Sequence, residues 1–195
     1  MAHNPGGMTS TRDWQRNRDM WVRVLEKQTG EGVNVWNRRI GREHLHDERS
    51  LRAWLARQGV MGYAQSLLVM ERFGYPDFVL ASPDQLIERQ YADRSQLRPI
   101  YDAIVGAASQ CGEVVIQARK TFVSLVTPRR TFARIQPTTK TRVDLGLRLD
   151  HQRLSGRLQP STLHETMRLQ VSVTATNQVD SEVRKWLQQA YRENS

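Results

Sequence analysis

Apolar residues in the first 75 positions recur at intervals of three and four, which is the spacing of a helix with one buried face. In a helix predicted over residues 12–28, for example, Trp21 and Leu25 share one face. We therefore predict a helical module over residues 11–75. The residues before it, 1–10, are rich in glycine, proline and asparagine and are predicted to form a flexible tail.

Capping residues mark two of the predicted helix starts. Ser50 is the predicted N-cap of a helix over residues 51–58, because serine side chains accept hydrogen bonds from the first free backbone N–H groups. Ser82 is followed by a proline and, three residues after the cap, by Gln85, which is the pattern of a capping box. We therefore predict a connector with a short helix over residues 76–94.

The periodicity changes from that of helices to that of strands after Gly112. Five short segments are rich in β-branched or aromatic residues, and the last two alternate between apolar and polar side chains. They cover residues 113–118, 121–126, 131–136, 143–149 and 165–173, with a polar loop predicted over 151–162. Apolar helical stripes precede the first strand and follow Asp180. The predicted fold class is therefore α+β: an α-β5-α domain over residues 95–195, whose antiparallel sheet is covered on one face by two helices.

The alternation also assigns side chains to the two faces of the sheet. Leu145, Leu147 and Met167 are expected to point toward the helices. The opposite face is expected to present basic side chains, namely Arg134, Arg142, Arg148 and Arg168. Phe122 and Phe132 have the same parity in their strands as Ser124 and Arg134, and are expected on that face too. A basic sheet face with aromatic rings suits single-stranded nucleic acid; the alternative is that this face docks the helical module.

The composition adds a strong positive charge to this picture. The 195 residues include 29 lysines and arginines against 20 aspartates and glutamates, a formal net charge of +9. Between Arg119 and Arg157, only Asp144 and Asp150 oppose ten basic residues. Because a field of one sign attracts polyanions, we predict a nucleic-acid-binding surface formed by Arg119, Lys120, Arg129, Arg130, Arg134, Lys140, Arg142 and Arg148.

Several other classes of protein are disfavoured. No apolar run is long enough to span a bilayer and the N-terminus does not resemble a signal peptide, so we expect a cytoplasmic protein without a membrane partner. The single cysteine, Cys111, excludes an internal disulfide and a cysteine-clustered zinc site. Phosphate-binding loops and nucleophile elbows are absent from the sequence. We predict no metal and no cofactor, and the balance of these observations is against an enzyme.

The strand-rich half resembles a known family. The residues that carry the resemblance are Arg119-Lys-Thr-Phe-Val-Ser-Leu, Thr131-Phe-Ala and the run from Gln136 to Leu149. This pattern is similar to that of a bacterial domain family of unknown function, some members of which are labelled predicted transport proteins, and covers residues 97–193. The helical half is similar to a second uncharacterised bacterial family that is often fused ahead of the first. The resemblance implies a two-part protein without an established activity.

Three functional hypotheses follow from the charge, the fold and the tryptophans. The first is a non-enzymatic module that binds nucleic acid or a ribonucleoprotein through the basic sheet face. The second is a carrier of a small ligand or metal, because the order of elements is similar to that of frataxin-like and iron-chaperone folds. The third is a protein–protein adaptor that contacts a partner through the helical module, where four of the five tryptophans lie.

Overall fold

A computed structural model describes residues 14–150 and 153–195, with side chains from residue 17 onward. The predicted flexible tail lies outside the described residues. The chain divides into two compact units, one within Arg12–Ala81 and one within Ser82–Ser195. We refer to them as the helical unit and the sheet unit.

The helical unit consists of five helices, the first four of which share one apolar core. They are α1 (Trp14–Thr29), α2 (Val33–Arg42), α3 (Glu48–Arg57), α4 (Gly62–Phe73) and the single turn α5 (Asp77–Leu80). Leu25, Leu51 and Leu67 are fully buried at the centre of this core. Trp36 is buried with them, while partly buried tryptophans, Trp21 and Trp54, pack against the same cluster. These three tryptophans therefore serve the core of the unit.

The structure corrects one predicted helix cap and confirms another. Helix α3 begins before Ser50, because Asp47 is its N-cap and accepts a hydrogen bond of 2.8 Å from the backbone N–H of Ser50. The carboxylate thus takes the role that the prediction gave to the serine. Ser82 does cap α6 (Pro83–Tyr91), and Gln85 completes the capping box.

The sheet unit has the α+β architecture that the periodicity predicts. Its remaining helices are α7 (Arg98–Ser109), which follows a 3₁₀ turn, and α8 (Ser181–Asn194), which begins at its N-cap Asp180. The strands are β1 (Val115–Ala118), β2 (Val123–Val126), β3 (Thr131–Pro137), β4 (Val143–Leu147), β5 (Gln159–Pro160) and β6 (Leu169–Val173). All pairs are antiparallel, in the order β1-β2-β3-β4-β6-β5. Strand β5 has two residues and lies where a polar loop was predicted.

The register of the strands defines the two faces of the sheet. Ile135, Leu145 and Val171 lie opposite one another across β3, β4 and β6, and all three are fully buried on the helix-covered face. The other face, which we call the second face, carries a row that runs through Ser124, Arg134, Gly146 and Gln170. The predicted separation of apolar and polar positions in β4 is therefore confirmed.

Part of the second face is covered by the segment before β6. A side chain at Gly146 would point away from the helices and come within 3.1 Å of the Cβ of Met167 and 3.0 Å of Leu163. Met167 is buried, yet on the opposite face from the one predicted. The reason is that β6 begins only at Leu169, so strand alternation does not extend back to Met167.

Phe132 also departs from its predicted position. The pairing of β2 with β3 is irregular between Leu125 and Val126, where Val126 pairs with Thr131 and Leu125 with Ala133. The extra residue of β3 is Phe132, and an inserted residue of this kind breaks the alternation of side chains. Phe132 is fully buried, and its ring packs edge-on against Tyr191 of α8, with 5.5 Å between the ring centroids.

Helix α7 contains a glycine that its conformation does not require. Gly106 has an ordinary helical φ, is exposed and has open space where a Cβ would be. Because glycine in a helix loses more backbone entropy on folding than alanine, Gly106→Ala should raise the free energy of unfolding of the sheet unit by about 0.5 to 1 kcal/mol. Urea denaturation measures this change, and an unchanged or lower midpoint would contradict the prediction.

Candidate functional site

Lys140 and Arg142, which were predicted to bind nucleic acid, are paired with carboxylates of the same chain. Lys140 Nζ lies 2.9 Å from an oxygen of Asp93, and Arg142 Nε lies 3.1 Å from Asp144. A hydrogen bond from Arg94, and a weaker effect of one from Lys140, lower the pKa of Asp93, so this carboxylate is ionised at neutral pH. Asp144 is 1% exposed and also accepts a hydrogen bond of 2.6 Å from Ser172. The charge of Arg142 is therefore balanced within the fold, whereas Lys140 shares the single charge of Asp93 with Arg94.

Three further predicted residues lie where α8 ends. Arg129 and Arg130 occupy the turn between β2 and β3, whose backbone N–H groups donate to the hydroxyl of Thr127. Arg130 Nη2 donates to the main-chain oxygen of Glu193 at 3.3 Å. The main-chain oxygen of Arg148 accepts a hydrogen bond from Asn194 at 2.9 Å. Cations at the C-terminal end of a helix interact favourably with its dipole, which gives the guanidinium of Arg130 a structural role.

The structure brings Arg119 and Arg134 together in one pocket on the second face, with a volume of about 190 Å³. Residues from β2, β3, the β1–β2 turn and the segment before β6 line it: Arg119, Phe122, Ser124, Thr131, Arg134, His164, Thr166 and Met167. Ser124 and Arg134 are cross-strand neighbours. The register of β2 and β3 therefore fixes the relative positions of a hydroxyl and a guanidinium at the floor of the pocket.

Arg134 is held by uncharged groups. Its Nη2 donates to Gln136 Oε1 at 2.7 Å, and its Cζ lies 3.5 Å from the centroid of the Phe122 ring. No carboxylate among the described residues forms an ion pair with it, and partial burial lowers its pKa from the usual value for arginine. Because an arginine pKa remains far above neutrality, the guanidinium keeps its positive charge in a partly desolvated position.

The remaining polar groups of the pocket are suited to donate hydrogen bonds. Arg119 Nη2 is oriented by Gln117 Oε1 at 2.8 Å. The backbone N–H of Thr166 donates to His164 Nδ1 at 3.2 Å, which leaves Nε2 as the protonated nitrogen of the neutral ring. Ser124, which exposes 9% of its surface, adds a hydroxyl to the lining.

A second pocket, of about 200 Å³, adjoins the β1–β2 turn and contains Lys120. Gln90 of α6 positions this turn, because its Nε2 donates to the main-chain oxygens of Arg119 at 2.7 Å and Phe122 at 3.2 Å. Arg89 and Arg94 add two further positive charges to the lining. The β1–β2 turn thus contributes one basic side chain, Arg119, to the first pocket and the next, Lys120, to the second.

The sequence prediction did not include Arg89, Arg94, His164 or Thr166, which line these pockets. Arg89 and Arg94 precede the strand-rich segment, and the sequence alone does not show that α6 packs beside β1. His164 lies between the predicted polar loop and the strand predicted over residues 165–173, and Thr166 lies within that strand; the prediction, which was built on lysines and arginines, included neither. The glutamines that hold Arg119 and Arg134 were detectable, because each lies two residues away in the same strand or its extension and hence on the same face.

Two further properties of the described residues bear on the site. In residues 14–150 and 153–195, no three His, Cys, Asp or Glu side chains are grouped so that they could hold a metal ion. The helices in this part of the chain also lack the combination of length and apolar character that a membrane span requires.

Comparison with known proteins gives a family for the sheet unit. Neither the curated proteins nor the solved structures contain a match to the chain. Residues 87–194 match the family described as a domain of unknown function, DUF5655. The match does not extend to α1–α5, so the similarity of the helical unit to a second family remains a prediction. Because the matched residues are more than half of the sequence and include every strand of the sheet, the chain belongs to the DUF5655 family.

Proposed function

We propose that the sheet unit is a non-enzymatic module that binds nucleic acid through phosphate groups, with the pocket of Arg119 and Arg134 as its main contact. The observation that carries the proposal is the environment of Arg134: a partly buried guanidinium, oriented by a neutral glutamine, with no carboxylate among the described residues to balance it. Its charge is therefore available to an anionic ligand. The net charge of +9 favours a polyanion over a small neutral molecule.

The side chains around Arg134 favour contact with phosphates over stacking with bases. The two phenylalanines expected on this face do not form an open platform, because Phe132 is buried against α8 and one face of the Phe122 ring is covered by Arg134. Guanidinium groups bind phosphate oxygens in pairs, through two parallel N–H groups. Recognition on the second face would therefore depend on the sugar–phosphate backbone and carry little base specificity.

The second pocket supports a ligand longer than one phosphate. It lies on the other side of the β1–β2 turn and carries Lys120, Arg89 and Arg94. Arg94 already donates to Asp93 and to the main-chain oxygen of Pro137, so its role is to shape the pocket. A strand that crosses the turn would place successive phosphates near Arg119 and then near Lys120.

Replacement of Arg134 with glutamine is the direct test of this proposal. We expect Arg134→Gln to weaken binding of a single-stranded oligonucleotide of about 12 nucleotides roughly tenfold, because a charge-assisted contact is lost. The slope of log K against log salt between about 50 and 200 mM should become less steep by about 0.7, the value for one phosphate contact on a single strand. Fluorescence anisotropy measures both quantities.

A matched control is Arg184→Gln. Arg184 is an exposed arginine on α8, on the helix-covered side of the sheet, and its contact is a hydrogen bond of 3.5 Å to Gln110. The Arg184→Gln variant should leave both the affinity and the salt slope unchanged, although it removes the same charge as Arg134→Gln. Equal losses of affinity in the two variants would mean that binding depends only on net charge and would contradict a site at Arg134. A wild-type protein with no measurable binding at micromolar concentration would reject the proposed function.

A further inference from the structure

We infer that Phe122 is a positioning residue that holds Arg134 in one orientation, so that the site selects an oxyanion by hydrogen-bond geometry as well as by charge. This inference rests on the proposed function and specifies what the same site recognises. Three observations carry it: the contact of Arg134 with the Phe122 ring, the hydrogen bond of Arg134 to Gln136, and the contacts that fix the backbone of Phe122.

The guanidinium of Arg134 is restrained on one face and at one nitrogen. Its Cζ lies 3.5 Å from the centroid of the Phe122 ring, which is a close cation–π contact. Its Nη2 donates to Gln136 Oε1 at 2.7 Å. Because both restraints act in the free protein, Arg134 loses less side-chain entropy when it binds a ligand than an unrestrained arginine would.

Phe122 is itself fixed by the β1–β2 turn. Its main-chain oxygen accepts a hydrogen bond of 2.8 Å from the backbone N–H of Arg119 and one of 3.2 Å from Gln90 Nε2. Gln90 belongs to α6 and is buried, with 7% of its surface exposed. The next residue after Phe122 is the first of β2. The ring beside Arg134 is therefore part of a turn that is anchored to both a helix and the sheet.

The N–H groups left to a ligand are those of the terminal nitrogens of Arg134. Nε is buried and has no hydrogen-bond partner among the described residues, and Nη2 donates one of its two hydrogens to Gln136. Both N–H groups of Nη1 and one of Nη2 remain. A phosphate group accepts more than one such hydrogen bond at once, whereas a lysine would offer a point charge without a fixed plane.

Arg134→Lys tests geometry against charge. The variant keeps the positive charge but removes the planar group that contacts the ring and donates in several directions. We expect it to weaken binding of the single-stranded oligonucleotide about fivefold, and Arg184→Lys, the matched control, to leave the affinity unchanged. An affinity of Arg134→Lys within about twofold of the wild type would overturn the inference and leave the proposed function intact, because charge alone would then suffice.

A double-mutant cycle tests whether Phe122 acts through Arg134. Phe122→Leu keeps an apolar side chain but removes the aromatic ring. We expect it to weaken binding about threefold in the wild-type background, the effect of a lost cation–π contact. It should have no further effect in the Arg134→Gln background, because the group that it positions is then absent. Phe122→Tyr, the control that keeps the ring, should bind as the wild type does.

The outcomes separate the inference from the proposed function. Equal losses from Phe122→Leu in the two backgrounds would indicate an effect that does not pass through Arg134, and would overturn the inference. A loss in Phe122→Tyr as large as that in Phe122→Leu would overturn it too. In both cases the dependence of binding on Arg134 would leave the proposed function intact. Lack of binding by the wild-type protein would reject both.

Discussion

Replacement of Phe132 with alanine is expected to lower the free energy of unfolding of the sheet unit by about 3 to 5 kcal/mol, the usual cost of deleting a fully buried aromatic ring. Phe132 is 0% exposed, and its ring contacts the Tyr191 ring edge-on. The substitution removes apolar surface from the core and leaves a cavity between β3 and α8. Hydrogen–deuterium exchange of the amides in β2, β3 and β4 would measure the loss in the sheet unit alone.

Phe122→Ala is the matched control, because the two phenylalanines have the same parity in the sequence but different environments in the fold. Phe122 is half-buried on the second face, where the guanidinium of Arg134 lies over its ring. We expect its loss to cost about 1 kcal/mol, the value of an exposed cation–π contact with a small amount of packing. If Phe132→Ala were as mild as Phe122→Ala, Phe132 would not be in the core and the irregular register of β3 would be wrong.

The difference between the two phenylalanines shows what alternation can and cannot predict. The period of two in Val143–Leu147 identified the buried face of β4 correctly, because every residue of that strand is in regular pairing. At Phe132 and Met167 the same rule placed the side chain on the wrong face. One extra residue in β3 and the late start of β6 change the parity, and no residue type in the sequence marks either position.

The charge of the sequence shows how many basic residues a segment has, but not which of them are paired with carboxylates. The excess of basic residues between 119 and 157 is evident from the sequence, and Arg119 and Arg134 are among the residues it predicted. The sequence could not show that Lys140 pairs with Asp93, which lies 47 positions earlier and reaches it only through the fold. Whether an arginine is balanced by a carboxylate or oriented by a glutamine depends on tertiary contacts, and this distinction separates Arg142 from Arg134.

Gly112→Ala is expected to destabilise the sheet unit by about 3 kcal/mol, through two effects that act together. Gly112 has a φ of +147°, which residues with a Cβ rarely adopt. A methyl group there would also overlap the ring of Tyr191. Tyr191 cannot move away without losing its contact with Phe132, so the overlap would disturb the core as well as the turn after α7. Urea denaturation, together with hydrogen exchange of the amides in the strands, measures the loss of stability.

Gly156→Ala provides a comparison at a positive-φ glycine of the same unit without the overlap with an aromatic ring. Gly156 also has a positive φ, of +55°, but a methyl group there meets only the carboxylate of Glu182, at 3.2 Å. An exposed carboxylate at the end of a flexible side chain can move aside, so this variant should cost about 1 kcal/mol, the strain of a left-handed residue alone. The excess cost of Gly112→Ala then reports the greater backbone strain at φ +147° together with the overlap with Tyr191. Equal costs at the two glycines would contradict the expected overlap of a methyl group at position 112 with Tyr191.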